Sequence, residues 1–159
     1  LLEIARTAHQ PEVRKTAFSL LQDEELVAHL ARQEPDKTIR AWAIGKVADP
    51  ALLAELARSE PDPELRKVAI RQVADQELLA ALARSGEASE IRIAAIGGLK
   101  DQALLGSIAT TDPDADVRWK AVDVLTDPQT LAQIARQDAN VQVRARAASR
   151  LDDQGVAER

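Results

Sequence analysis

Residues 49–74 read DPALLAELARSEPDPELRKVAIRQVA, and Asp75 begins the same pattern again. Asp23, Asp49, Asp75, Asp101, Asp127 and Asp153 are each 26 residues apart, as are Arg14, Arg40, Arg66, Arg92, Arg118 and Arg144, with no insertion or deletion between them. A fixed period of roughly 20 to 50 residues marks a repeat array, in which each unit packs only on its neighbours. A single unit cannot bury its own apolar faces, so such a chain folds through packing between units.

Inside one unit the pattern changes at a single break. Asp49-Pro50 is a helix start, since an Asp N-cap accepts orphan backbone N–H groups and Pro at the first helical position loses no hydrogen bond; Asp127-Pro128 repeats it. Leu52, Leu53, Leu56 and Ala57 then form one apolar stripe on a first helix, A, of about ten residues. Ser59-Glu60-Pro61-Asp62 ends that helix, because the residue before a proline is pushed out of the α region. A second helix, B, starts near Pro63 and carries Leu65, Ala69, Ile70 and Val73 on its inner side. Val13, Ile39, Ile91, Val117 and Val143 match Leu65, while Leu21, Val47, Leu99, Leu125 and Leu151 match Val73. The Ala69 column is alanine throughout (Ala17, Ala43, Ala95, Ala121, Ala147), small enough for two helix backbones to approach closely. The spacing predicts helix pairs over 24–33 and 37–48, 50–59 and 63–74, and onward by 26, with no strand.

Taken in order, Leu1, Leu2, Ile4, Ala5 and Arg6 align with Leu53, Ala54, Leu56, Ala57 and Arg58, so the chain opens inside a helix A. Helix B follows from about Pro11 to Gln22, and Asp153 is expected to begin another helix A running to Arg159. We read 1–159 as a single α-solenoid domain cut from a longer array, with units starting near 23, 49, 75, 101 and 127 and partial units at both ends. Gly86, Gly97, Gly98 and Gly106 cluster in one stretch, and Glu87 stands where other units have Pro35, Pro61 or Pro113, which admits either a hinge or a close helix contact.

Composition bounds the function. The chain has 159 residues, 45% hydrophobic and 30% charged, an ordinary globular balance, and only 2% are aromatic, so the core is Leu, Ile, Val and Ala. With no cysteine there is neither a disulfide framework nor a Cys-based metal site. No apolar run reaches the roughly 18 residues of a membrane span and no signal-peptide pattern precedes the first repeat, so a cytoplasmic location is expected. The net charge of -5 argues against nonspecific nucleic-acid binding by the chain as a whole.

Asp62-Pro63-Glu64-Leu65-Arg66 followed by Ala69-Ile70, and Asp114 to Arg118 followed by Ala121-Val122, resemble the D-x-x-[VL]-R-x-x-A signature of HEAT-like repeats, and the resemblance recurs in all six units. At 26 residues the unit is shorter than the 40 or so of ordinary HEAT units. It is similar to short bacterial HEAT-like arrays, with the leucine-rich repeat variant as the alternative; two segments of ten or more residues favour a pair of α-helices. The resemblance implies an all-α, armadillo-like, right-handed α-solenoid of stacked helix pairs, with the B helices lining its concave side. It also implies that the Arg column (Arg14, Arg40, Arg66, Arg92, Arg118, Arg144) is a structural ladder bonding a neighbouring unit's Asp. The variant family carries an iron-sulfur domain, which this cysteine-free chain cannot supply.

No catalytic residues emerge. His9 lies in a loop and His29 on an exposed helix face; HEAT-like di-iron hydroxylases use His-Glu pairs, whereas here His9 precedes Gln10 and His29 precedes Leu30. No glycine-rich phosphate loop, HExxH or nucleophile elbow is present. We therefore expect no metal, no cofactor and no enzyme activity. What remains is the outer side of the B helices, where Lys15, Ser19, Trp42, Lys46, Lys67, Arg71, Lys100, Trp119, Lys120, Arg146 and Arg150 stand against Asp123 and Asp152. Stacking does not dictate these positions, and Trp and Arg are typical anchors. The expected function is a non-catalytic scaffold binding an extended or helical, acidic protein segment through Lys15, Trp42, Lys46, Lys67, Arg71, Trp119, Lys120 and Arg146. The alternative is nucleic-acid binding through the same face, since HEAT-like DNA glycosylases use concave Trp, Arg and Asp, for which Trp42, Arg71, Trp119 and Asp123 are the comparable set.

Overall fold

The computed structural model describes residues 2–20 and 23–157, and every regular element among them is an α-helix. The chain divides into two compact units, one up to Val73 and one from Ala74.

The first unit holds α1 (Leu2–Thr7), α2 (Pro11–Ser19), α3 (Glu24–Gln33), α4 (Lys37–Ile44), α5 (Pro50–Ser59) and α6 (Pro63–Ile70). Consecutive helices pack as α1 on α2, α3 on α4 and α5 on α6, and α4 also lies against both α2 and α6. The core of this unit is formed by Ile39, Ala43, Ile44, Leu52, Leu56, Leu65, Ala69 and Ile70, all buried. The second unit holds α7 (Gln76–Ala83), α8 (Ser89–Ile96), α9 (Gln102–Thr111), α10 (Ala115–Val124), α11 (Pro128–Gln137) and α12 (Val141–Ala157). There α7 packs on α8, α9 on α10 and α11 on α12, while α10 lies between α8 and α12. Leu79, Ile96, Leu105, Val117, Val122, Leu125, Leu131 and Val143 fill its core.

The caps explain where the A helices begin. Asp23 accepts from the Leu26 N–H, Asp49 from Ala51, Asp75 from Glu77 and Leu78, Asp101 from Leu104 and Asp127 from Thr130. The B helices have their own caps: Asp36, Asp62 and Asp114 each accept from two backbone N–H groups of the following turn. At α8 the cap position is Ala88, which has no side chain to offer.

Several boundaries differ from the sequence pattern. The helices expected over 37–48 and 63–74 stop at Ile44 and Ile70. Their last turns tighten into i to i+3 bonds, Lys46 N–H to Ala43 O at 2.9 Å and Val47 N–H to Ile44 O at 3.2 Å, with the same geometry at Gln72 and Val73. That tighter turn swings Val47 and Val73 into the core while leaving the helix. The helix expected to begin at Asp153 does not form; α12 runs through to Ala157. Val13, expected in the core, is 41% exposed, and Ile4 is 51% exposed. No described helix covers the side of α1 and α2 on which they sit, whereas Ile39 and Leu65 on the same register are buried. Leu151 is only half-buried. Leu1, Leu21, Gln22 and Arg159, and the side chains of Leu2, Arg6 and Ser19, lie outside the described residues.

The arginine column occupies the junctions between helix pairs. Arg14 donates to Asp36, Arg40 to Glu60, Arg92 to Asp112 at 3.1 and 3.0 Å, and Arg118 to Asp138 at 2.8 and 3.0 Å. Each of these carboxylates belongs to the A/B loop of the following helix pair. Several of these guanidinium groups also donate to a carbonyl of their own loop: Arg14 to Ala8 O at 2.7 Å, Arg92 to Glu87 O at 2.6 Å, Arg118 to Asp112 O at 2.9 Å. Arg144 reaches Asp138 O at 2.8 Å, and the Arg66 Nε donates to Ala57 O at 2.8 Å. Asp112 and Asp138 are therefore bonded twice, at the carboxylate by one arginine and at the carbonyl by the next. Hydrogen bonds from Arg118 hold the Asp138 carboxyl below its usual range against the opposing effect of burial, and Asp138 raises Arg118 in turn.

Candidate interaction surface

On the B helices the inner stripe leaves positions 15, 42, 67, 71, 119, 120 and 146 outside the core, and the local sequence places a partner for most of their charges. In the first unit the Lys15 Nζ donates to Glu12 Oε1 at 3.2 Å and the Lys67 Nζ to Glu64 Oε1 at 2.7 Å, both one helical turn back. Trp42 is half-buried on α4 and its ring lies against Phe18 of α2, centroids 6.2 Å apart at 26° between planes. Lys46 and Arg71, beyond the ends of α4 and α6, are exposed and form no ion pair among the described residues.

The second unit has a tighter cluster. Trp119 on α10 is 38% exposed, and the Arg146 guanidinium of α12 sits 5.4 Å from its ring centroid, within cation–π range. Arg146 also donates through Nε to Asp123 Oδ1 at 3.1 Å and through Nη2 to the same oxygen, while the Lys120 Nζ donates to Asp123 Oδ2 at 3.1 Å. Partial burial pushes the Asp123 carboxyl up, but the bonds from Arg146 and Lys120 outweigh it and hold the carboxyl below its usual range. Both oxygens thus accept hydrogen bonds from these two cations. Farther along α12, the Arg150 Nη2 donates to Leu125 O at 3.1 Å, so this arginine closes the end of α10.

Among the described residues no three His, Cys, Asp or Glu side chains gather as a metal site, and no helix is long and apolar enough to cross a membrane. No family model, no curated protein and no solved structure matches this chain.

The residues singled out from sequence thus fall into two groups. Lys15, Lys67, Lys120 and Arg146 are each neutralised in part by an acidic neighbour, while Lys46 and Arg71 form no ion pair among the described residues. Sequence reasoning missed the first fact although its signal was present. Glu12 precedes Lys15, and Glu64 precedes Lys67, by three residues, the spacing at which helix side chains meet. It also did not single out Phe18, the platform on which Trp42 rests.

Proposed function

We propose that this chain is a right-handed α-solenoid of short HEAT-like repeats that works as a non-catalytic scaffold, holding an extended or helical protein segment of acidic character on the outer faces of its B helices. The 26-residue register supports the architecture. The observation that carries the function is Trp119, a large apolar ring left exposed on α10 and stiffened by Arg146. A ring already held in place loses little conformational freedom on meeting a partner, which favours its use as an anchor. The charge of Arg71, which is exposed and forms no ion pair among the described residues, favours an acidic segment.

The test is selection of peptides from a random display library on the immobilised protein, followed by affinity measurement. Selected peptides are expected to be acidic, to lose at least about tenfold in affinity for Trp119→Ala, an interface truncation of ordinary hot-spot size, and to weaken against Arg71→Glu. Arg71 is exposed, whereas the Lys67 side chain is 17% exposed and pairs with Glu64, so Lys67→Glu costs stability of its own and Arg71→Glu alone, which should melt within about 0.5 kcal/mol of the parent, carries the charge arm of the test. Undiminished binding to both variants, or salt-dependent duplex DNA binding in place of peptide binding, would overturn the reading.

A further inference from the structure

A cavity of about 350 Å³ opens in the first unit beside the Phe18–Trp42 pair, floored by Val27, Val47 and Leu52. Comparison along the repeat shows what differs here. Val27 stands where Leu53, Leu79, Leu105 and Leu131 stand in the other units; those four leucines are buried, whereas Val27 is only half-buried. Glu24 stands in the column of Pro50, Gln76, Gln102 and Pro128. The Oε1 of Gln76 accepts from Lys100 N–H at 2.9 Å and that of Gln102 from Thr126 N–H at 2.8 Å, so each glutamine side chain reaches across to the next B-to-A turn. Glu24 makes no such bond among the described residues, and the turn it would reach, at Ala48, lines the cavity instead. In the column of Lys46, which also holds Gly98, Val124 and Arg150, Gln72 donates back to Ile44 O at 2.8 Å and closes the end of the preceding B helix. Lys46 leaves that closure unmade. Val27 thus departs from a leucine that the four other units share, and Glu24 and Lys46 leave unmade the bonds that some units make, beside a space walled by two of the chain's three aromatic rings.

We propose that this cavity is a binding site for a small organic amine with an aromatic or aliphatic body, a ligand beyond the partner segment proposed above. Its volume is at the lower end of small-molecule sites, and its mostly apolar wall matches theirs. The stacked rings give a rigid flat wall for the ligand's apolar body, and the Trp42 face attracts a cation. Charge chooses between occupants of the same shape: Asp23, Glu24 and Asp49 stand at the rim against the single ammonium of Lys46. Asp23 and Asp49 each accept from a backbone N–H as helix caps, so Glu24 is the carboxylate free to meet the amine.

The test uses phenethylamine and 3-phenylpropionate, which share a ring and differ in the sign of the charge. In Trp119→Phe protein the emission reports Trp42 alone, and phenethylamine should change it saturably in the millimolar range or below, as suits so small a ligand. Phenylpropionate should bind at least about fivefold more weakly, the discrimination that solvent-exposed charges several ångströms away supply. Val27→Leu/Glu24→Gln, which supplies the leucine of the other units and removes the carboxylate offered to the amine, should lose at least about tenfold in amine affinity while melting no lower than its parent. A rise in the parent's melting temperature with phenethylamine checks the result without the Trp119 substitution. Equal binding of the two probes, unchanged binding by the refilled variant, or no saturable response would overturn the proposal. None of these outcomes depends on Trp119 or Arg71, so the scaffold reading stands or falls separately.

Discussion

Replacing Arg118 by Met tests whether the arginine column holds the helix pairs together. Arg118 makes four hydrogen bonds, two to the Asp138 carboxylate and one each to Asp112 O and Pro113 O. Its side chain is 12% exposed and that of Asp138 6%, so solvent screens the pair little. Methionine keeps the length of the packed stem and removes the charge, leaving a nearly buried carboxylate whose remaining bond is from the Asn140 N–H at 2.7 Å. Breaking one side of a buried pair costs about 3 to 5 kcal/mol, and the low end applies because Asp138 keeps that backbone donor. The expected loss is therefore about 3 kcal/mol, or roughly 6 to 12 °C in melting temperature for a chain of this size. Arg118→Met/Asp138→Asn removes the stranded charge and should recover about half of the loss. The pH dependence has a definite sign. Because Arg118 lowers the Asp138 pKa in the folded state, the contribution is complete above the ordinary aspartate value of about 3.9 and disappears as pH falls through the folded value. Urea unfolding of parent and Arg118→Met should thus differ most from about pH 5 upward and converge below about pH 4. Arg118→Met unfolding like the parent at neutral pH, or a gap that persists unchanged at pH 3, would refute the ladder as the source of stability.

Two further substitutions probe irregularities of the repeat. Ala88 has the extended cap backbone (φ -55, ψ 147) without a capping side chain, so Ala88→Asp should stabilise by about 1 kcal/mol and Ala88→Asn by nearly as much in thermal unfolding; a loss in both would mean that the 85–89 loop cannot present a side chain to the α8 amides. Gly106 lies in α9 where other units have Ala54, Ala80 and Ala132, and a Cβ there would be 3.6 Å from the nearest Thr130 atom, an ordinary contact. Gly106→Ala should therefore raise stability by about 0.5 to 1 kcal/mol, and a decrease in urea midpoint would show that the close approach of α9 to its neighbours requires glycine.

Sequence alone determined what is local and periodic in this protein. The all-helical class, the A-helix starts at the Asp columns, and the inward placement of Leu56, Ala69 and Ile70 follow from caps and apolar spacing within about one helical turn. The early ends of α4 and α6 were not legible, because Val47 and Val73 are equally apolar in a helix or in the tighter turn that carries them inward, and only packing separates the two. The run of α12 past Asp153 was not legible either. For the candidate surface, the i to i+3 pairs at Lys15 and Lys67 could be read from spacing, whereas the joining of Arg146 to both Asp123 and Trp119 could not, since it spans 23 residues and depends on how closely α10 and α12 pack. The cavity beside Trp42 lies further still from local pattern. Val27, Glu24 and Lys46 each look like a minor variation within a column, and only the tertiary structure brings them to one place beside Phe18 and Trp42. Periodicity states which face of a helix is apolar, but the distance between side chains on different helices is a property of packing, and it is that distance which decides whether charges pair and whether a space is filled.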